Sequence, residues 1–351
     1  MDDKIKKLID DSKECVLRDE YVGREVLFSL LSINPLSEEN EYLRLAGREI
    51  ARVKAKNEGR VGSAFGMDLS PCKMNCKFCS LGEKWHLFDE SYEFSFDDVI
   101  GEMKRIVKMG FYQFTIRTTE FYSVDKLCEL GKKIRAEVPG RFYIGLNIGE
   151  VNVEEATRLY EAGFNSAYHS WRLGEGRDTE FNPEVRKATM RAISQSPLSL
   201  TTGLDPIGIE HTDEEIVDRI EFFRELNAST VCVMKRITVP GTPMEGTPEV
   251  SDERIAQITA VVRMASGGKW KNVAASPPMQ LALRSGANTF GINTGANPRN
   301  TKQQFGKWMK FDHAGAVKFL SDAGYEFSNP SAYINSALND GKNKKNVPEG
   351  T

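Results

Sequence analysis

Ser63-Ala-Phe-Gly-Met-Asp-Leu69, then Cys72-Lys-Met-Asn-Cys76-Lys-Phe-Cys79, then Phe96–Met109 read as one strand, one loop and one amphipathic helix. The first run is short, apolar and bounded by turn residues, as a buried strand is. The last is an amphipathic stretch of helical length. The unit recurs along the chain. Further strands are expected at Gln113–Thr119, Phe142–Ile148, Ser166–Ser170, Leu198–Asp205, Thr230–Ile237, Asn272–Ser276 and Thr289–Asn293. Helices are expected between them at Val124–Glu137, Val153–Ala162, Pro183–Ser194, Asp213–Leu226 and Ser251–Met264, with a short one near Met279–Arg284 and a last at His313–Ala323. Eight strands alternating with helices predict an α/β fold, a (βα)8 TIM-type barrel; a doubly wound open sheet is the runner-up.

Before that unit the chain is helical. Apolar residues recur at helical spacing through Leu8, Ile9, Leu27, Leu30, Leu43 and Ile50, with a break at Asn34-Pro35 and a new start at Ser37. The expected organisation is a helical lead-in over 1–60 packed on the barrel, the barrel over 61–328, and a partly disordered tail over 329–351. The tail, from Gly341 onward, has almost no apolar content.

Composition narrows the function. The 351 residues are 40% hydrophobic and carry a net charge of −3, with no basic stripe of the kind nucleic acid requires. No apolar run reaches the length of a membrane span, and Met1-Asp-Asp-Lys opens a charged helix. Neither a nucleic-acid partner nor a membrane is expected, and the setting expected is cytoplasmic. Of six cysteines, three cluster and three are solitary, at Cys15, Cys128 and Cys232, which is no disulfide framework. The solitary ones read as small buried hydrophobes.

The clustered cysteines carry the chemistry. Cys72, Cys76 and Cys79 supply three thiolates from one loop, in the spacing C-x3-C-x2-C. A 4Fe–4S cluster is normally held by four sulfurs, so three leave one iron open to a chelating molecule. Zinc is the alternative; a closed zinc site wants four ligands, and only one C-x-x-C is present, with His86 nearby. Several strands end in polar residues, and strand ends form the active-site rim of a barrel. The expected wall is Asn147, His169, Asp205, Lys235, Arg236, Ser276, Asn293 and Thr294, with Arg299 and Lys302 on a rim loop. Such a lining suits a small polar molecule.

These residues resemble the radical S-adenosylmethionine superfamily, whose pattern C-x3-C-x-aromatic-C is matched by Cys72, Cys76, Phe78 and Cys79. The resemblance implies that these cysteines hold the cluster and that its open iron binds S-adenosylmethionine. It implies one-electron cleavage of the sulfonium to a 5′-deoxyadenosyl radical, which abstracts hydrogen from a substrate carbon. It also implies an electron donor such as ferredoxin or flavodoxin. Phe78 would pack near the adenine. Thr118, Thr119 and Glu120 stand where the family places its contacts to the methionyl amino group, though the usual glycines are missing. Gly203-Leu-Asp205-Pro-Ile207-Gly208-Ile-Glu210 is similar to the family's adenine-stacking segment, which implies cofactor contacts for Asp205 and Ile207. Arg186 falls where an arginine faces the cofactor carboxylate. Glu175 would join the cofactor contacts, with His169 and Arg172 toward substrate.

The resemblance sharpens toward the branch of biotin synthase, methylornithine synthase and a hydrogenase maturase, through Val239-Pro-Gly241-Thr242-Pro243 and Ser285-Gly286-Ala287-Asn288. Within it the chain looks most like maturases of hydrogenase cofactors, the candidates being those of the iron–guanylylpyridinol cofactor. Biotin synthase has a second cluster on inner-strand cysteines and an arginine. Here the corresponding residues are Thr115-Ile116, Gly145-Leu-Asn147, Thr201-Thr202 and Ala274-Ala275-Ser276, which disfavours sulfur insertion. The function expected is hydrogen abstraction from a small polar precursor in cofactor biosynthesis. The rivals are a carbon-skeleton mutase, a sulfur-inserting enzyme, or a non-catalytic iron–sulfur scaffold or electron-transfer protein.

Overall fold

The computed structural model describes residues 1–88, 90–300 and 312–328. Eight parallel strands form the barrel: β1 (Glu58–Gly66), β2 (Gln113–Arg117), β3 (Tyr143–Asn147), β4 (Ser166–Tyr168), β5 (Ser199–Ile207), β6 (Thr230–Lys235), β7 (Asn272–Ser276) and β8 (Thr289–Gly295). Each strand pairs with the next, and β8 returns to β1 from Arg60↔Thr289 to Gly66↔Gly295, so no edge is left open. The open-sheet alternative is thereby excluded. β1 begins at Glu58, inside the segment read as lead-in, because β8 and the short strand Glu326–Phe327 give its polar start hydrogen-bond partners.

The lead-in is three helices, α1 (Asp3–Leu17), α2 (Arg24–Leu31) and α3 (Glu38–Lys54), the last capped by Ser37. Around the barrel follow α4 (Phe96–Lys108), α5 (Val124–Glu137), α6 (Val153–Glu161), α7 (Pro183–Gln195), α8 (Asp213–Glu225), α9 (Asp252–Ala265), the one-turn α10 (Gln280–Leu283) and α11 (His313–Ser321). The first three lie on α8 and α9. Gln257 of α9 donates to the carbonyls of Leu30 and Ile33 at 3.1 and 2.7 Å, and Arg24 pairs with Asp218 at 2.7 Å. Gly47 lets α3 approach closely: a Cβ there would stand 2.6 Å from the Ser285 carbonyl. With both faces covered, α9 is buried at every residue from Ile255 to Ala265, and its buried Gln257 and Arg263 are satisfied by hydrogen bonds. No helix among the described residues is long and apolar enough to cross a membrane. Lys302 and the tail over 329–351 lie outside the described residues.

The strands alternate in the barrel sense. In β2, Phe114 and Ile116 are buried against the helices, and Thr115 and Arg117 turn to the interior. The carboxyl ends of the strands therefore deliver polar side chains to one rim.

Candidate active site

The cysteine loop follows β1 and crosses the top of the barrel. Its turn is fixed by backbone bonds: Cys72 N to Leu81 O at 2.6 Å, Cys79 N to Cys76 O at 2.8 Å and Glu83 N to Cys72 O at 3.1 Å. Asn75, held at a positive φ of 42°, accepts from Lys84 N through its side chain at 3.0 Å. The Leu81 amide donates to Cys79 Sγ at 3.4 Å. The loops after β4, β6 and β8 hold it from outside: Lys77 N donates to Asp178 O, Met244 N to Lys77 O, and Ser80 N to Pro298 O at 2.8 Å. Three thiols are thus presented from a loop that the rest of the rim immobilises. Burial pushes all three thiols up, Cys79 to about 11, while the Arg172 guanidinium pulls each down. A metal reverses that burden, since it binds the thiolate.

Beneath the loop lies a cavity of about 200 Å³. Of the residues the sequence points to, it gathers Cys76, Phe78 and Cys79 from the loop, and Asn147, Arg172, Asp205, Arg236, Ser276, Asn293 and Arg299 from the strand ends. It adds Arg117, Tyr168, Met234, Ile237 and Asn297, which sequence reasoning missed. Strand parity would have found three of these: Arg117 follows Thr115 by two, Tyr168 follows Ser166, and Met234 follows Cys232. The same parity places Cys232 toward the barrel axis, beside Gly203 and close to Asp205. Thr294, one residue on from the inward-facing Asn293, is buried on the other face of β8, and Lys235 is not in the wall. It points outward to Asp252 and Glu249, at 2.8 and 3.3 Å.

The remaining predicted residues gather behind the loop. Arg186, fully buried, faces three carboxylates: Glu150 at 2.8 Å, Glu120 at 3.4 Å and Glu175 at 3.6 Å. Its guanidinium stacks on Phe181 at 4.2 Å. His169 belongs here and not to the cavity wall, with Nε2 at 3.1 Å from Glu150. Burial pushes the Glu150 carboxyl up, but His169, Arg186 and Thr189 outweigh it and hold it at about 2. Burial and the Arg186 charge lower His169 to about 4, so this imidazole is neutral near pH 7. Burial raises Glu120 and Asp205. Arg172 joins the two groups, 3.7 Å from both Glu175 and Asp205. Glu150 gave no signal in sequence, because its partners come from α7 and the β4 end.

Thr118 and Thr119 end outside both groups. Thr119 is engaged by Asp68, which accepts its amide at 2.7 Å and its hydroxyl. Ile207 is buried and takes the Arg236 amide on its carbonyl at 3.0 Å. Glu210 pairs with Arg236. Asp178, Glu210 and His211 bring their ligand atoms within 4.8 Å of one another. His211 Nδ1 accepts the Gly208 amide at 2.9 Å, which leaves the proton on Nε2, and the two carboxylates face arginine and lysine. That cluster is an ion-pair knot and offers a metal no free lone pair on the imidazole.

No family model matches the chain. Curated relatives do. The chain is 25% identical to a biotin synthase of Persephonella marina over 276 residues, which is 75% of this chain and 79% of that one. It is 25% identical to a biotin synthase of Saccharopolyspora erythraea, over 67% of this chain and 68% of that one. Among solved structures, methylornithine synthase superposes with a TM-score of 0.78 at 18% identity, over 93% of this chain and all of that one. The [FeFe]-hydrogenase maturase HydG from Carboxydothermus hydrogenoformans gives 0.75 at 17% identity, over 91% of this chain and 79% of that one.

The class is therefore a (βα)8-barrel enzyme that carries a three-cysteine loop after its first strand. The chain is thus similar to enzymes of the radical S-adenosylmethionine superfamily, biotin synthase among them, whose cofactors are a 4Fe–4S cluster and S-adenosylmethionine. The residues present fit those groups. Three thiols come from one loop, and in the cavity beneath it Arg172 Nη1 and Asp205 Oδ1 are buried with no hydrogen-bond partner. Buried polar atoms left unpaired in this way are costly unless a ligand completes them. A molecule with an ammonium, a carboxylate and ribose hydroxyls supplies both donors and acceptors.

Proposed function

We propose that this enzyme abstracts a hydrogen atom from a small polar precursor during cofactor biosynthesis. The observation that carries the reading is the cavity of about 200 Å³ placed directly under Cys76, Phe78 and Cys79 and walled by arginine, asparagine and aspartate. Cys72, Cys76 and Cys79 hold the cluster. When bound, it supplies the electron that splits S-adenosylmethionine to the 5′-deoxyadenosyl radical. Phe78 covers the adenine side, and Asp205 accepts hydrogen bonds from the cofactor hydroxyls. Glu120, Glu175, Arg186 and Arg172 form a buried charged frame that orients the methionyl end, with Thr118, Thr119 and Ile207 shaping the backbone around it. Asn147, Arg236 and Asn293 meet the substrate, and His169 supports the frame as a neutral partner of Glu150.

Relatives named for biotin synthesis support a place in cofactor assembly, and the iron–guanylylpyridinol type is the candidate we name within it. Sulfur insertion is less favoured. Among the inward-facing residues described, Cys232 is the only thiol, too few for a second cluster. The reductant is a small ferredoxin or flavodoxin in a cytoplasmic setting. The test is anaerobic reconstitution, which should give about four irons per chain, followed by dithionite and S-adenosylmethionine. Release of 5′-deoxyadenosine and methionine supports the reading. Reconstituted protein that binds four irons and yields neither product, with candidate precursors supplied, is a scaffold and refutes it.

A further inference from the structure

The cavity is unevenly charged. Four arginines line it, Arg117, Arg172, Arg236 and Arg299, against one carboxylate, Asp205. Two are neutralised locally: Arg236 by Glu210 and Arg172 by Glu175 with Asp205. Arg117 and Arg299 have no carboxylate within ion-pair distance among the described residues. Arg117 is held by neutral oxygens instead, Nη1 on Asn293 Oδ1 at 3.0 Å and Nη2 on the Ala296 carbonyl at 2.6 Å. Arg299 is aimed into the same cavity from the loop after β8, whose turn is set by Asn297 Oδ1 accepting the Arg299 amide at 3.0 Å. Burial lowers the proton affinity of both guanidiniums, Arg117 to about 10, and the Arg299 charge lowers Arg117 further. Two like charges fixed side by side in a buried pocket are costly unless an anion comes between them.

We propose that Arg117 and Arg299 form an oxyanion clamp for the substrate, so that the precursor presents a carboxylate or phosphate to the β2–β8 side of the cavity. The clamp rests on the radical enzyme reading for its reacting partner, but its binding chemistry does not depend on that reading. Guanidinium forks recognise both oxyanions through paired N–H donors. The polar oxygens of Asn293 and Ala296 engage one flank of Arg117, so its other donors point where the anion arrives.

The test uses reconstituted enzyme saturated with S-adenosylmethionine, with no reductant, so no turnover is needed. Inorganic phosphate and acetate serve as separate probes in calorimetric titrations. One of them is expected to bind saturably at one site per chain, about tenfold or more weaker in Arg117→Gln and in Arg299→Gln, with Arg299→Lys in between. Phosphate binding indicates a phosphorylated precursor, and acetate binding indicates a carboxylate. Mapping phenylglyoxal modification on the wild-type enzyme gives a check that needs no variant: the probe that binds should protect Arg117 and Arg299. Three results overturn the proposal: no saturable binding of either probe, protection of other arginines only, or binding that appears only when S-adenosylmethionine is omitted, which would assign the clamp to that cofactor's own carboxylate. Loss of 5′-deoxyadenosine formation by the wild-type enzyme would sink the catalytic reading and leave these outcomes standing.

Discussion

Gly66→Ala tests how the rim is built. Gly66 ends β1, and the chain leaving β8 folds across it, with the Ala296 amide donating to the Gly66 carbonyl at 2.9 Å. A Cβ on Gly66 would stand 1.7 Å from the Ala296 carbonyl oxygen and 2.6 Å from its carbon. These are backbone atoms, so no rotamer change relieves the clash. The crossing must lift, and overpacking of this kind costs about 1–3 kcal/mol. The lost backbone bond adds about 1 kcal/mol. A total of about 2–4 kcal/mol corresponds to a Tm lower by about 3–5 °C in a chain of this size. Function should suffer beyond stability. The same crossing presents Pro298 O to the Ser80 amide and Ala296 O to Arg117, so both the cysteine loop and the clamp lose a support. Scanning calorimetry and iron content of the reconstituted variant measure the two effects. Gly62→Ala is the control on the same strand, where a Cβ meets nothing nearer than 3.6 Å and should change stability by less than about 0.5 kcal/mol. Equal Tm and equal iron in the two variants would refute the description of the crossing.

Alanine at Cys72, Cys76 or Cys79 should cut iron from about four per chain to near zero; Cys128→Ala and Cys232→Ala should leave it unchanged, and a loss of iron in Cys232→Ala would reveal a metal inside the barrel. Arg186→Met leaves Glu120, Glu150 and Glu175 facing one another and should cost about 3–5 kcal/mol in denaturant unfolding; a cost under about 1 kcal/mol would show that those carboxylates do not depend on it. His169 is held neutral, with a pKa lowered from 6.5 to about 4. The folded state resists its protonation, so its contribution is complete above pH 6.5 and is lost as pH falls toward 4, by about 3 kcal/mol. Glu150, lowered from 4.5 to about 2, acts in the same direction below pH 4.5. His169→Gln should therefore flatten the stability profile between pH 7 and pH 4.5, and an unchanged slope would place the histidine outside this network.

Eight strands were legible because each is a short apolar run between polar helix starts, and the barrel follows from their number and order. β1 was read five residues too short, since Glu58–Gly62 owes its strand state to β8 and to Glu326–Phe327, which no local pattern reveals. The place of the cysteine loop after β1 was legible, because its three thiols are close together in the chain. The wall was legible only in part. Asn147, Arg236 and Asn293 stand out as polar residues at strand ends, but position along a strand does not fix the face. Alternation does, and counted from Met234 it sends Lys235 outward and keeps Arg236 for the rim loop. His169 and Arg186 needed Glu150, a residue with no motif of its own, before their setting could be known.

The placement of charge explains why this rim can hold two ligands at once. Behind the loop, Glu120, Glu150, Glu175 and Asp205 face Arg172 and Arg186, so that side carries an excess of acid. Across the cavity, Arg117 and Arg299 leave an excess of base. On the function proposed above, S-adenosylmethionine brings a sulfonium and an ammonium, which the acidic side stabilises. A precursor bearing an oxyanion is repelled there and drawn to the opposite wall. The two molecules are then sorted by sign before any contact specific to either is made. A neutral precursor would leave the basic wall unmatched, and an enzyme built for one would have no reason to turn Arg117 and Arg299 into the cavity with no carboxylate partner among the described residues.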